Sequence, residues 1–331
     1  MSKVKQIIEM ANSERRSKYN ILTFPTHERY ETQLCKTGHD FYSFRMQGQK
    51  QWNKEQVPVP ENYYIMPMDN VVRFVDFDFM LVQSKFWQYQ VAMEIQKTVP
   101  VPIIVLEHTL PTPATMQEQH IQSMRQMLGN INVFISDFSR KAWGISQASR
   151  VIHHGLDLKT FKPTEVEKEN YVLTVANDFK NRDFCLNYKG WERITNGIET
   201  KLVGENNGEG TTTCKTTEEI VNEYNKCCVY LNTTTHSPIP MSLLEAMACG
   251  CPVVSTATCM IPEVIENGVN GFISNDEKEL NEYVQTLLSD EALRKTIGEN
   301  ARSTIEESFS EEKFIQNWNQ TFSQIYEVKN L

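Results

Sequence analysis

Nothing in this 331-residue sequence is apolar for long enough to cross a bilayer. The longest such stretch, VPVPIIVL at 99–106, falls far short of the ~20 residues that a spanning helix needs. The opening MSKVKQIIEM lacks the apolar core of a secretory signal, so the expectation is a cytoplasmic protein with no membrane span. Also missing is any CxxC pair. The eight cysteines, at 35, 185, 214, 227, 228, 249, 251 and 259, follow no spacing of a zinc site or a disulfide framework and read as reduced, mostly buried thiols. No repeat or low-complexity segment appears. With 40% hydrophobic and 23% charged residues the composition is globular, which excludes a disordered or fibrous chain, and the length suits two domains, each with its own core.

Charge is distributed unevenly. Residues 1–158 hold 17 basic against 15 acidic side chains, a balance of +2, whereas the remainder holds 16 against 27, a balance of −11. A negatively charged partner would therefore meet the first half, where Arg15, Arg16 and Lys18 cluster, although short charge runs are usually solvated faces.

Periodicity gives the architecture. Val4, Ile7, Ile8 and Ala11 have helical spacing; YNILTF (19–24) reads as a strand, a helix runs from about Glu28 to Lys36, and a second strand lies near Phe41. The alternation continues through FMLVQS (79–84), a helix over KFWQYQVAMEIQK, strand PIIVLEH (102–108), a helix at about 114–128 bearing Met116, Met124 and Met127, and strand NVFIS (132–136). A second series starts at YVLTVAN (171–177) and runs through TKLVG (200–204), a helix near 217–225, CVYLNT (228–233), a helix after Met241, PVVST (252–256) and GFIS (271–274). Amphipathic helices fill the chain from Glu277 onward. Strands alternating with helices imply parallel sheets. The polar stretch VIHHGLDLKTFKPTEVEKEN then reads as the linker between two Rossmann-like α/β domains, residues 1–160 and 165–310.

Parallel sheets bind ligands beyond the carboxyl ends of their strands. Two such sheets facing a central cleft would put loops from both sides around a substrate, and candidate residues follow strands: Thr26 and His27, Gln83 and Ser84, His108, Asn177 to Arg182, and Thr234 to Ser242. Asp76-Phe77-Asp78 forms a DxD triplet, a manganese-binding pattern elsewhere, but it precedes a strand, so both aspartates read as surface residues. Phe86, Trp87 and Tyr89, like the methionine stripe, read as core or cleft lining.

One block carries more information than its spacing. SLLEAMACGCPVVST followed by IPEVIENGVNGFI resembles the carboxyl-terminal signature of the family 4 glycosyltransferases of GT-B fold, and VFISDFSRKAW and RVIHHGLDLKTFKP resemble earlier segments of the same family. The resemblance implies retaining transfer of a sugar from a nucleotide-diphosphate sugar to a hydroxyl, with no metal or cofactor. It makes residues 1–160 the acceptor side, with a terminal helix at 311–331 packing back on it, and residues 165–310 the donor side. It also assigns the second glutamate of an E-x7-E pair, here Glu245, to the donor ribose. A glutamate at a helix start that stabilises its own helix dipole is the plain alternative.

Where the first glutamate of the pair belongs, this chain has Ser237 beside His236, and Pro238-Ile239-Pro240 replaces the usual Gly-Phe-Gly. Proline offers no N–H, so Ile239, Met241 and Ser242 are the backbone donors left, with Leu244, Asn177 and Lys180 completing the expected donor surroundings. The departing diphosphate needs cations, and the resemblance implies Arg182 and Lys189 for that role. It likewise places His108 near the reacting sugar, as a hydrogen-bonding contact, and Thr26 and His27 on the acceptor or phosphate side. Proton transfer to the departing phosphate on the same face would explain the lack of a spaced carboxylate pair of glycosidase type.

The acceptor is open. A small, lipid, saccharide or protein hydroxyl is one reading. A hydroxymethylated base in duplex DNA is another, because HERYETQLCKTGHDFYSF looks like phage-encoded members of the superfamily and because Arg140, Lys141 and Arg150 add to the basic first half; host cytoplasm would then be the location. The acidic whole argues against duplex binding. A non-catalytic sugar-nucleotide-binding protein and an epimerase rank last.

Overall fold

The computed structural model describes residues 18–24, 27–46, 52, 54, 57–66, 75–112, 116–145, 148–208 and 210–329. The helix expected from Val4 to Ala11, the pair Arg15 and Arg16, and Thr26 lie outside the described residues. The chain divides into two compact units, one of Met1–Ile135, Arg140–Ile152 and Phe314–Leu331, the other of Ser136–Ser139 and His153–Lys313.

The first unit is built on seven strands: β1 (Asn20–Thr23), β2 (Asp40–Ser43), β3 (Tyr63–Ile65), β4 (Phe79–Val82), β5 (Ile103–Glu107), β6 (Ile131–Phe134) and β7 (Ser149–Val151). They form one parallel sheet in the order β3-β2-β1-β4-β5-β6-β7, with Ile21 in register with Phe41 on one side and Phe79 on the other. The central strands are apolar on both faces because helices cover both, as parallel sheets require; β4 and β5 are buried throughout. Part of that cover is the helix Glu311–Lys329, whose Phe314, Trp318, Phe322 and Ile325 repeat at three or four residues and pack with Tyr19, Phe41 and Phe79. Each such burial removes enough apolar surface to contribute about 2–3 kcal/mol.

The second unit has five strands: β8 (Glu169–Val175), β9 (Thr200–Val203), β10 (Cys227–Asn232), β11 (Val253–Ser255) and β12 (Phe272–Ile273), all parallel, in the order β12-β11-β10-β8-β9. Its core gathers Leu243, Leu244, Ala246, Met247 and Ala248 of the helix Met241–Ala248 against Tyr230, Val253, Ala301 and Ile305. Arg302 ties this core together by donating to the carbonyls of Phe161 and Ala248, both at 2.6 Å, and so closes the carboxyl end of that helix.

Several expectations change. The strands β3 and β7 and the helix Asp137–Trp143 were not foreseen, since three-residue edge strands carry too little alternation to register. The helix expected at 114–128 is Glu118–Arg125; Met124 is buried in its packing, with Met116 and Met127 beside it. Asp78 is not simply a surface residue: it is half-buried and its Oδ2 accepts the Asn20 N–H at 2.9 Å, fixing the entry to β1, while Asp76 is exposed. Phe86 is 57% exposed instead of lining a core, whereas Trp87 and Tyr89 do pack inward. All eight cysteines are free, six of them buried.

Candidate active site

A sheet whose strand order reverses opens a crevice at the reversal, because the two loops leaving the central strands diverge to opposite faces. In the second unit that switch point lies between β8 and β10. The loops leaving these strands are tied to each other: the N–H groups of Thr235 and His236 both donate to the Cys185 carbonyl, at 2.8 and 3.1 Å, and Thr233 Oγ1 donates to the Leu186 carbonyl at 2.9 Å.

The loop after β8 is clamped from its other side. Asn177 Oδ1 accepts the Glu205 N–H at 2.8 Å, and Asn207 bridges the Ala176 carbonyl and the Phe179 N–H. Gly204 makes the approach possible; its φ is +146°, and a Cβ there would lie 2.0 Å from the Ala176 carbonyl oxygen. Arg182 stands just before the short helix Asp183–Leu186 and is exposed, and among the described residues its guanidinium has no hydrogen-bond or ionic partner. Lys189 lies in the first turn of the helix Tyr188–Ile194, which Asn187 caps by accepting the Gly190 N–H at 3.1 Å. Its ammonium is 72% exposed and 3.6 Å from Asp183, a contact that water screens heavily. Lys180 is turned differently, its ammonium 5.3 Å from the centre of the Tyr188 ring, which stacks on Trp191.

After β10 the chain enters the helix Met241–Ala248 through Pro240. Among the described residues the N–H groups of Met241 and Ser242 have no acceptor, so the helix start presents two donors. Ser242 Oγ accepts from the Tyr230 hydroxyl at 2.8 Å and donates to the Val175 carbonyl at 3.3 Å, linking the helix to the end of β8. His236 and Ser237 are half-buried in the loop. Ile239 is buried, and Leu244 is fully buried in the core, so only the main chain of Leu244 is left to face a ligand.

Glu245 is not at the helix start. It is the fifth helical residue, beyond the turn where the dipole acts, so self-stabilisation of that dipole does not account for it. It is half-buried, and its Oε2 accepts the Tyr224 hydroxyl at 2.9 Å. Tyr224 comes from the helix Thr217–Lys226 and is wholly buried; burial, reinforced by the Glu245 charge, pushes its phenol well above the usual tyrosine range and keeps it a donor. Nothing in the sequence announced Tyr224, since only the packing of two helices brings it to Glu245.

In the first unit the switch point lies between β1 and β4. His27 is exposed just before the helix Glu28–Cys35. His108 follows β5, half-buried, its ring centre 4.6 Å from that of Tyr30 in an edge-on contact. Around it lies a polar cluster that the sequence only partly signalled. Gln83 Nε2 donates to Glu31 at 2.6 Å and to Thr23 at 3.1 Å, and Gln83 Oε1 is 3.4 Å from His108 Nε2. Two residues after Gln83, the buried Lys85 donates to the Met127 carbonyl at 2.7 Å, and burial pulls its pKa down to about 8. Glu107 accepts from both Thr109 donors, and its carboxyl is raised above the usual range by burial.

Known proteins resemble this chain at two levels. Residues 201–304 match the family Glycosyl transferases group 1. Chitobiosyldiphosphodolichol beta-mannosyltransferase of Candida albicans is 40% identical over 96 residues, 28% of this chain and 20% of that protein. N-acetyl-alpha-D-glucosaminyl L-malate synthase of Bacillus anthracis is 40% identical over 78 residues, 23% of this chain and 20% of that protein. The chain thus spans about a fifth of the length of these relatives. Among solved structures, HepE of Anabaena in complex with UDP-glucose has a TM-score of 0.74 at 17% identity, covering 92% of this chain and 100% of its own. Sucrose-phosphate synthase from Thermosynechococcus elongatus has a TM-score of 0.72 at 15% identity, covering 94% and 100%. Identities this low speak for the fold, and the fold is GT-B.

Proposed function

We propose that this GT-B chain, whose residues 201–304 carry the glycosyl transferases group 1 match, moves a sugar from a nucleoside-diphosphate sugar to an acceptor hydroxyl with retention at the anomeric carbon. One observation carries the reading. The switch point in the second unit is flanked by a carboxylate braced by a buried phenol and, among the described residues, by two helix-start N–H groups without an acceptor and an arginine without a partner. A carboxylate that can accept two vicinal hydroxyls suits a ribose, and cations with amide donors suit a diphosphate.

In this reading Glu245 holds the ribose, and the N–H groups of Met241 and Ser242 meet phosphate or sugar oxygens. Arg182 and Lys189 take up the charge that grows on the departing diphosphate. Because that charge develops in the transition state, these groups act on turnover more than on donor binding. The acceptor oxygen bonds to the anomeric carbon as the bond to the diphosphate breaks, and the acceptor proton passes to the leaving phosphate oxygen on the same face. No resident metal is called upon. His27 and His108 follow strands of the first unit and have the chemistry to hydrogen-bond a hydroxyl.

UDP and UDP-glucose are the first donors to try, since HepE was solved with both. The expected result is a raised melting temperature with nucleoside diphosphates or their sugars, because a ligand bound only by the folded form stabilises it. No shift across a panel of such compounds would remove the reading. A non-nucleic acceptor is favoured over duplex DNA. The net charge of −9 opposes binding to a polyanion, and Lys18 is already paired with Asp40 at 2.8 Å. Salt-sensitive retardation of duplex DNA in a gel would reverse that preference.

A further inference from the structure

Four cysteines meet at the edge of the second sheet where its strands begin. Cys227 and Cys228 open β10, and Cys249 and Cys251 flank the turn between the helix Met241–Ala248 and β11. Successive strand residues point to opposite faces, so Cys228 packs in one core and Cys227 in the other, which it shares with Cys249 and Cys251. Within that core one pair is in contact: Cys227 Sγ lies 3.2 Å from Cys251 Sγ, a thiol–thiol hydrogen bond between two wholly buried groups. Tyr230 is in register with Val253, which makes Cys227 and Cys251 diagonal neighbours where the two adjacent strands begin. Strand spacing and rise put diagonal Cα atoms about 6 Å apart, inside the span that a disulfide bridges. Among the described residues no third ligand completes a metal site around the two sulfurs.

We propose that Cys227 and Cys251 form a redox modification site, a dithiol that hydrogen peroxide converts to an intrachain disulfide. Peroxide has a route to it. A cleft of about 970 Å³ runs along this edge of the unit, and its lining includes Lys168 together with Cys228, Gly250 and Pro252, the chain neighbours of the two cysteines. Lys168 donates to the Cys227 carbonyl at 3.1 Å, which sets a positive charge beside the pair. Burial opposes ionisation of both thiols, but at Cys251 the hydrogen bond from Cys227 and the Lys168 charge outweigh it and lower the pKa, whereas Cys227 stays well above the ordinary range. Cys251 is therefore the attacking sulfur. Its thiolate takes one oxygen of the peroxide as the O–O bond breaks, and the departing hydroxide collects the proton that Cys251 gave up. Cys227 then attacks the resulting sulfenic sulfur, the S–O bond breaks, and the hydroxyl leaves with the Cys227 proton as a second water. Two thiols and one peroxide thus give one disulfide and two waters. The new bond ties the start of β10 to the turn that closes the helix carrying Glu245, where the Cys251 N–H donates to the Ala246 carbonyl and the Cys249 N–H to the Glu245 carbonyl, both at 3.0 Å. The assignment is independent of the sugar-transfer reading.

Differential alkylation of the full chain tests it. The reduced, folded protein is exposed to hydrogen peroxide at neutral pH, free thiols are blocked with N-ethylmaleimide, and the thiols that dithiothreitol then releases are marked with iodoacetamide. Cleavage after Glu223, Glu245 and Glu263 puts Cys227 and Cys228 on one peptide and Cys249, Cys251 and Cys259 on another, and fragment spectra locate the mark. The mark is expected on Cys227 and Cys251 and on no other cysteine. Oxidation is expected to raise the melting temperature by roughly 5–10 °C, as suits a disulfide that closes a 24-residue loop, and dithiothreitol to reverse the shift. Cys228→Ser should leave both the mark and the shift intact, and Cys251→Ser should abolish them. A mark on any other pair, oxidation that dithiothreitol does not reverse, or a wild-type chain whose thiols all stay reduced would overturn the proposal, and the wild-type map needs no variant to fold.

Discussion

Replacing Tyr224 with phenylalanine removes one hydroxyl and nothing else from the second unit, and it isolates what that hydroxyl does for Glu245. The bond is 2.9 Å long and runs from a wholly buried phenol to a half-buried carboxylate. Hydrogen bonds to charged groups contribute about 1.5–3 kcal/mol when buried. Here water can reach the carboxylate and replace part of the loss, so the lower end of that range, about 1.5 kcal/mol, is the appropriate figure, which corresponds to roughly a tenfold rise in the Kd for UDP. Glu245→Gln removes the charge that two ribose hydroxyls would meet and should cost about 2–3 kcal/mol, or roughly 30- to 150-fold. If Tyr224 acts only by aiming Glu245, the double variant binds UDP no more weakly than Glu245→Gln alone. The coupling energy then equals the whole effect of Tyr224→Phe. Isothermal titration of the four proteins with UDP closes the cycle. Additive losses, or UDP binding unchanged by Glu245→Gln, would refute the assignment of this pair to the ribose.

Other perturbations test other parts of the structure. Arg182→Ala and Lys189→Ala should each lower single-turnover rates by roughly a hundredfold with little change in donor affinity, because they face charge that grows during bond breaking; unchanged rates in both would displace the diphosphate from this loop. Gly204→Ala would press a methyl group 2.0 Å from the Ala176 carbonyl at a φ that side chains avoid, so we expect a loss of about 3 kcal/mol in denaturant unfolding, and a wild-type midpoint would contradict the clamp. His39 provides the pH dependence. Its Nδ1 accepts the Tyr19 N–H at 3.2 Å and its Nε2 faces Asn319 at 3.1 Å, and burial lowers its pKa from 6.5 to about 4. The unfolded chain therefore binds the proton first. Stability is full above pH 6.5 and declines as the pH falls toward 4, by about 3 kcal/mol from this group. His39→Gln should flatten that part of the Tm against pH curve, and an equally steep curve would assign the loss to other groups.

How much could be read without coordinates differs between the two units. In the second, apolar strands such as YVLTV and CVYLN and the block after Met241 carry their structure locally, because strand and helix signals span only a few residues. The β8 and β10 loops, with Arg182, were accordingly legible as candidates, whereas Lys189 and Glu245 were singled out by the family resemblance. In the first unit the edge strands Tyr63–Ile65 and Ser149–Val151 are too short for any period to show, and they exist because a neighbouring strand offers them hydrogen bonds.

What the sequence determined by itself is the kind of architecture: two series of strand and helix, parallel sheets, and chemistry in the loops that leave the strands. These follow from local periodicity and from the rule that parallel strands need helical crossovers. Which residues act together was decided only by tertiary structure. Tyr224 meets Glu245 from another helix, Gln83 touches both Glu31 and His108, and Asp78 turns back to hold β1. Hydrogen bonds of this kind join positions 20 to 60 residues apart, and their energy depends on the burial and direction that the packed fold alone supplies.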